Sequence, residues 1–275
     1  MSRDSAQVLS RGFAMAESPR WHGERLWLCD WGAQKIVALK EDGSLETEIA
    51  GDFGLPFCID WLRDGRLLVV AGGKNALLRQ EPDGAFGLQA DLAAVSNQGW
   101  NEIVVDGRDN IYVNGGPGVI ALVTRDGGAR LVADGIEFPN GMAVTPDNRT
   151  LIIAESHGKR LTAFTIADDG SLSNRRVWAA LYGYPDGICI DAGRAVWYAD
   201  VPNKCCVRVR EGGGVLARVN LELGCFACML GGKERRTLFL VANEWRGMNN
   251  IAAVAAEKTG QVLCIRAPAS HAGWP

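Results

Sequence analysis

Four oxygen-bearing side chains stand at matching places along the chain. Glu17 precedes "SPRW", Asn101 follows Gly99-Trp100, Asn140 sits in "FPNG" and Asp186 in "YPDG". Each comes just before a short apolar run, so segments that fold alike would bring all four to one place. Two carboxylates and two amides converging there would repel or stay unsatisfied unless a positive centre lay between them. Carboxylate and amide oxygens, with water, suit a hard divalent cation such as Ca²⁺, Mg²⁺ or Mn²⁺. A local reading competes with this one. Pro-Asn-Gly and Pro-Asp-Gly are good turn sequences, and Asn140 and Asp186 could simply form turns. Spacing alone leaves both readings open.

Other chemistries are thinned by counting. The chain has three histidines, His22, His157 and His271, too scattered for a three-histidine zinc site. No H-E-x-x-H, G-x-S-x-G, phosphate-loop or dinucleotide fingerprint occurs. Ser156 and His157 are adjacent, which does not make them nucleophile and base. His157 reads as a surface residue at a strand end, and His22, near Glu17, as a weak candidate for the rim of a site. The eight cysteines lie singly in apolar runs or as the neighbours Cys205 and Cys206, the pattern of reduced, buried thiols. Cys225-x-x-Cys228 has no second pair to complete a zinc site and reads as core packing.

The elements that would position these residues repeat along the whole chain. Six units appear, each an apolar strand, an Asp/Gly turn, a second apolar strand and further strands behind another such turn. Asp60, Asp106, Pro146, Asp191 and Gly231 mark the first turn in successive copies, at intervals of 40 to 46 residues. That spacing suits four strands per unit, and "RDG", "EDG", "PDG", "DDG" and "EGG" are hairpin signals. Parallel βα units also repeat at this length, but they need helical segments where this chain writes Gly-rich turns. The expectation is an all-β, six-bladed propeller with four antiparallel strands per blade, one domain over residues 1–275. "QVLCIRAP" near one end and "QVLSRGFAMAE" near the other are the strands expected to close the ring within one blade.

Composition bounds the partners. With 47% apolar and 22% charged residues and a net charge of −3, the chain reads as an ordinary soluble protein. Its basic clusters, such as Lys233 to Arg236, are short and interrupted by acids, which speaks against nucleic acid or a membrane surface as partner. No apolar run approaches a signal h-region or a membrane span, so a cytoplasmic protein is expected.

Several segments together resemble the gluconolactonase, senescence-marker-protein and luciferin-regenerating-enzyme family of six-bladed propellers. "AESPRW" resembles its Glu-Gly-Pro-x-Trp, and "NEIVVDGRDNIYV" its Asn-Asp-x-x-x-Asp-x-x-Gly-x-x-Tyr/Trp. "FPNGMAVTPDNRTLIIAES" is similar to its Pro-Asn-Gly-x-x-x-Ser-Pro-Asp. "PDGICIDAGRAVWYAD" and "CFACMLGGKERRTLFL" extend the likeness over nearly the whole chain. The resemblance implies that Glu17, Asn140 and Asp186 bind one divalent cation, Ca²⁺ first and Zn²⁺, Mn²⁺, Mg²⁺ or Fe²⁺ as alternatives. Asn101 would complete that site or hold substrate. It further implies a metal-dependent hydrolase acting on a small lactone or ester; at such a site the charges make Asp186, able to touch both metal and water, the expected general base, with Glu17 a pure ligand and Asn101 orienting the ester oxygen.

One departure bears on specificity. Sugar-lactone members carry an Arg two residues before this Asn, where the chain has Gly99 beside Trp100. Loss of that five-donor fork predicts a less hydroxylated or aromatic lactone, with space at Gly99 and an apolar wall at Trp100. Trp31, Phe57 and Trp245 are further candidates for the mouth. The rival readings are phosphotriester or other ester hydrolysis at the same metal, and a non-catalytic calcium-binding propeller.

Overall fold

Each sequence unit folds as an antiparallel sheet, and six such sheets form the blades of a β-propeller in a computed structural model that describes residues 5–275. The innermost strands are Ala16–His22, Phe57–Trp61, Trp100–Val105, Pro139–Val144, Pro185–Asp191 and Gly224–Gly231. They are covered by neighbours on both faces, which is why they read as apolar runs. The outermost strands alternate instead; Leu45–Ala50 turns every second residue toward water, the period-two signature of a half-buried strand. Hydrophobic clusters lie between consecutive blades. Leu62, Leu68 and Val70 of the second blade, for example, pack on Trp100, Ile103 and Val113 of the third.

The expected hairpin turns form, and their acids hold them. Asp106 Oδ1 accepts from the backbone N–H groups of Arg108 (2.8 Å) and Asn110 (3.0 Å). Asp191 Oδ1 does the same for Gly193 at 2.8 Å. The ring closes as the terminal segments suggest: strand Gln7–Phe13 pairs antiparallel with Gly260–Arg266 as the outer strand of the last blade. The fifth blade gains a fifth strand, His271–Ala272, on its innermost edge at Ile190 and Asp191. Beyond it Trp274 exchanges two backbone hydrogen bonds with Val144 of the fourth blade, at 2.8 and 2.9 Å. This segment therefore crosses the end of the channel at which the inner strands finish.

The βα alternative fails: among the described residues the one α-helix, Ile251–Glu257, lies in the connection between the second and third strands of the last blade. Among the described residues no helix is long and apolar enough to cross a membrane. All eight cysteines are free, and Cys225 and Cys228 are buried in the strand Gly224–Gly231 as core residues.

Candidate functional site

The four residues singled out by type occupy one equivalent position. In the first, third, fourth and fifth blades the inner strand pairs Ala16, Trp100, Pro139 or Pro185 with the last residue of the second strand, Asp30, Gly115, Glu155 or Asp200. Glu17, Asn101, Asn140 and Asp186 each come next. An extra residue enters the inner strand there: the register breaks between Glu17 and Arg20, Trp100 and Ile103, Pro139 and Met142, and Pro185 and Ile188. Such a bulge bends the strand and re-aims a side chain. The second blade pairs without irregularity and carries Cys58 at the corresponding place; the sixth carries Cys225.

The turn-forming reading of Asn140 and Asp186 is overturned, because both lie inside strands. The glycines after them serve close approach. A Cβ on Gly141 would stand 2.6 Å from Ile188 N and 2.7 Å from Asp186 O, and one on Gly187 would stand 2.6 Å from Ala227 Cβ. Only a bare backbone lets the inner strands of the fourth, fifth and sixth blades come this near at the axis.

Burial makes the two acids reluctant anions. Glu17 is 6% exposed, and its Oε2 accepts one hydrogen bond, from Ser18 N at 2.8 Å. Burial first, and Glu102 with it, push its carboxyl up to about 8 against the opposing pull of the Ser18 N–H and Arg20. Asp186 is pushed well above the usual carboxylate range by burial, then by Glu17 and Glu102, against a hydrogen bond from Asn140. Each acid disfavours the other's charge.

The amides face the opposite way in hydrogen-bonding terms. Asn101 Nδ2 donates to Pro139 O at 3.3 Å and Asn140 Nδ2 to Ser156 Oγ at 3.4 Å, while Ser156 Oγ donates to Pro185 O at 2.6 Å. One N–H of each amide is thus spent on protein, and among the described residues no hydrogen bond to protein engages either carbonyl oxygen. Asn114 Nδ2, donating to Asn140 O at 2.7 Å, steadies the bulge of the fourth blade from behind. Two carboxylates, Glu17 buried and Asp186 half-buried, with two amide oxygens fit a hard divalent cation, whose charge would remove the cost of ionising them. Among the described residues no three His, Cys, Asp or Glu side chains come together as a metal-binding group. A cation here would depend on amide oxygens for its remaining protein ligands.

Two expectations for the substrate pocket need correction. Trp100 is 1% exposed, packs between the second and third blades and donates from Nε1 to Ser96 O at 3.1 Å; it is core and no wall of a pocket. Phe57 is likewise fully buried. Gly99 has φ +86°, and a Cβ there would meet only Gly72 O, at 3.8 Å, so the space inferred beside it is present. The positions two residues before the four oxygen donors are Met15, Gly99, Phe138 and Tyr184, three of them large and apolar or aromatic. Phe138 is 54% exposed and stacks on His157 with ring centres 4.4 Å apart. Lys159 Nζ lies 4.4 Å over the Tyr184 ring. Trp31 is half-buried beside Met15 and Phe226, and Trp245 packs edge-on to Phe226 at 5.6 Å. His22 is not on this rim; it stacks on Trp61 at the far end of its strand.

Sequence reasoning passed over Arg20 and Glu102. Arg20 Nη2 meets Glu102 Oε1 at 3.0 Å and Ile103 O at 2.7 Å, and Nη1 donates to Pro19 O at 3.0 Å. Their only signal was adjacency, Glu102 to Asn101 and Arg20 to the "SP" that follows Glu17.

The chain is similar to known proteins over most of its length. It is 26% identical to 6-deoxy-6-sulfogluconolactonase of Pseudomonas putida across 255 residues, 86% of each chain. It is 28% identical to diisopropyl-fluorophosphatase of Loligo vulgaris across 164 residues, which spans about half, 52%, of each. In fold it resembles a luciferin-regenerating enzyme (TM-score 0.81, 16% identity, covering 96% of this chain and 95% of that one). A calcium-binding regucalcin of Agrobacterium tumefaciens is similarly close (TM-score 0.78, 18% identity, 98% and 95% covered). Residues 15–244 match the model of the SMP-30/gluconolactonase/LRE-like region, and the chain belongs to that family.

Proposed function

We propose that this chain is a divalent-metal-dependent lactone hydrolase whose site is the ring of Glu17, Asn101, Asn140 and Asp186. The observation that carries the reading is the pair of acids, Glu17 and Asp186, both pushed toward protonation at strand positions equivalent to those of Asn101 and Asn140 on two further blades. Glu17, Asn140 and Asp186 would hold the cation, with Ca²⁺ favoured by the oxygen donors. When bound, the cation supplies Lewis-acid polarisation of a carbonyl and stabilises the charge that develops on its oxygen. Asp186 takes the proton of the attacking water, Asn101 orients the ester oxygen through its amide, and Glu17 remains a ligand. The chain would act as one domain over residues 1–275, and its free thiols suit the reducing cytoplasm.

For the substrate, the rim favours a less hydroxylated or aromatic lactone. Phe138 and Tyr184 supply exposed aromatic surface before two of the donors, and the open space at Gly99 brings no hydroxyl-binding fork. Protein stripped with chelator and re-supplied with single divalent metals is to be assayed on dihydrocoumarin and gluconolactone. Activity that vanishes and returns with one metal, with dihydrocoumarin preferred about tenfold or more in kcat/KM, is expected. Preference for the sugar lactone would sink the specificity reading, and metal-independent turnover the mechanism.

A second reading rests on the likeness to the Loligo vulgaris diisopropyl-fluorophosphatase. A cation held by oxygen ligands polarises a phosphoryl as well as a carbonyl oxygen. Faster turnover of a dialkyl fluorophosphate than of any lactone in the same assay would make that the principal activity.

A further inference from the structure

Arg20 leaves the inner strand of the first blade three residues after Glu17, yet its guanidinium ends in the third. Its side chain is 7% exposed, as is that of Glu102, the partner it reaches at 3.0 Å. It passes the inner strand of the second blade, where Asp60 and Cys58 lie within its field. Glu102 Oε1 also accepts from Ile103 N at 2.9 Å, so one carboxylate oxygen is fixed by two donors. Beyond Arg20, toward the far end of the channel, lies a cavity of about 170 Å³ bordered by Arg20, His22, Asp60, Trp61, Val105 and Trp274. Arg20 thus stands between that cavity and the axial site. Its Nε is buried without a partner.

We propose that Arg20 is a positioning residue of the axial site: it binds Glu102 across the channel and keeps this third carboxylate out of the coordination shell of the cation. The inference rests on the reading of the site as a divalent-cation site. Two carboxylates balance one divalent charge. A third would add an anion and take a coordination place that water or substrate needs, and Glu102 directly follows the donor Asn101. Arg20 offsets part of that charge through one guanidinium nitrogen, on a group that keeps its proton. The absence of a three-acid group among the described residues is the arrangement this tie would maintain. Removal of one member of a buried pair leaves the other uncompensated, whereas removal of both is often tolerated.

The test is calorimetric titration with Mn²⁺ and lactone kinetics on the wild type, Arg20→Met and Arg20→Met/Glu102→Gln. Release of Glu102 in Arg20→Met is expected to tighten Mn²⁺ binding about tenfold, because an added anion nearby attracts the cation. In the same variant kcat falls about thirtyfold or more with KM little changed, a loss confined to the reacting complex. The double variant is expected to return Mn²⁺ affinity to within about threefold of wild type and to recover most of kcat, as charge balance is restored. A purely structural Arg20 would weaken binding and turnover together, with no rescue, and that result overturns the proposal. Should Arg20→Met not fold, the double variant decides: wild-type-like affinity supports the tie, and lost binding overturns it. A wild type that binds no Mn²⁺ or Ca²⁺ overturns the cation reading and this inference together. A wild type that binds Mn²⁺ but hydrolyses no lactone overturns only the substrate, and the affinity measurements still decide the role of Arg20.

Discussion

Glu155 closes the second strand of the fourth blade with its side chain closed to solvent. It accepts from Arg160 at 2.7 and 3.1 Å, Arg175 at 3.2 Å and the backbone N–H of Glu137 at 2.8 Å, with Thr162 beside them. Burial would raise its pKa, but Arg160, the Glu137 N–H and Thr162 outweigh it and hold the carboxyl down to about 2. Glu17 has one backbone N–H and is pushed up to about 8. Glu155 is no more open to solvent than Glu17, and it is the partners gathered around it that turn its shift downward and make it a finished part of the fold. Around Glu155 the fold supplied its own cations. Around Glu17 and Asp186 it supplied amides, and on the proposed reading a bound cation would bring the positive charge.

The comparison breaks most sharply at Asp186. Asp186→Asn is expected to lower kcat/KM by about three orders of magnitude, as loss of a general base and ligand does. The melting temperature of the metal-free protein should hold or rise, because an acid disfavoured by burial and by Glu17 is gone. Kinetics with thermal melts in chelator check this. Near-full turnover with metal still bound would remove Asp186 from the role of base.

The two regions should also titrate in opposite directions. The folded pKa of Glu17 lies above its unfolded value of 4.5, so the native state holds a proton that the unfolded chain releases between them. Stability of the metal-free protein therefore falls as pH rises from about 4.5 to about 8, by an amount on the order of a few kcal/mol. Saturating Ca²⁺ should flatten this window, since binding takes the ionised form and expels the proton. The contribution of Glu155, with its pKa lowered, is present above 4.5 and is lost as pH falls through about 2. Urea unfolding across pH, with and without Ca²⁺, reads both; a level metal-free profile from pH 5 to 8 would mean that Glu17 is already ionised.

Smaller effects sharpen the contrast. Glu155→Gln should cost about 2–3 kcal/mol, less than a fully buried pair because Arg160 and Arg175 can still reach water. It should leave Mn²⁺ affinity within about threefold of wild type, since no axial ligand is touched. Urea unfolding and calorimetry measure the two, and a large fall in affinity would show that the regions are coupled. Gly141→Ala should destabilise by about 1–3 kcal/mol through its backbone clash, with a weakening of Mn²⁺ binding that exceeds the effect of Glu155→Gln. Unchanged stability would mean the inner strands have room that the 2.6 Å approach to Ile188 N denies.

Much of this was legible in the chain itself. Strand length, Asp-Gly turns and a period near forty determined the blades, because hairpins are specified by local φ/ψ needs and by alternation of apolar side chains. The same repetition brought Glu17, Asn101, Asn140 and Asp186 to equivalent places. Where local signals had two physical causes, only the tertiary structure could choose. Pro-Asn-Gly reads as a turn, yet Gly141 is there for the backbone of the next blade. Trp100 reads as a wall beside an open Gly99, yet the bulge that aims Asn101 at the axis leaves the indole between blades. Arg20 and Glu102 carry no shared motif, since the ring rather than the chain makes them neighbours. Local chemistry sets what each strand is; closure of six blades around one axis decides which side chains meet, because that distance depends on every blade at once.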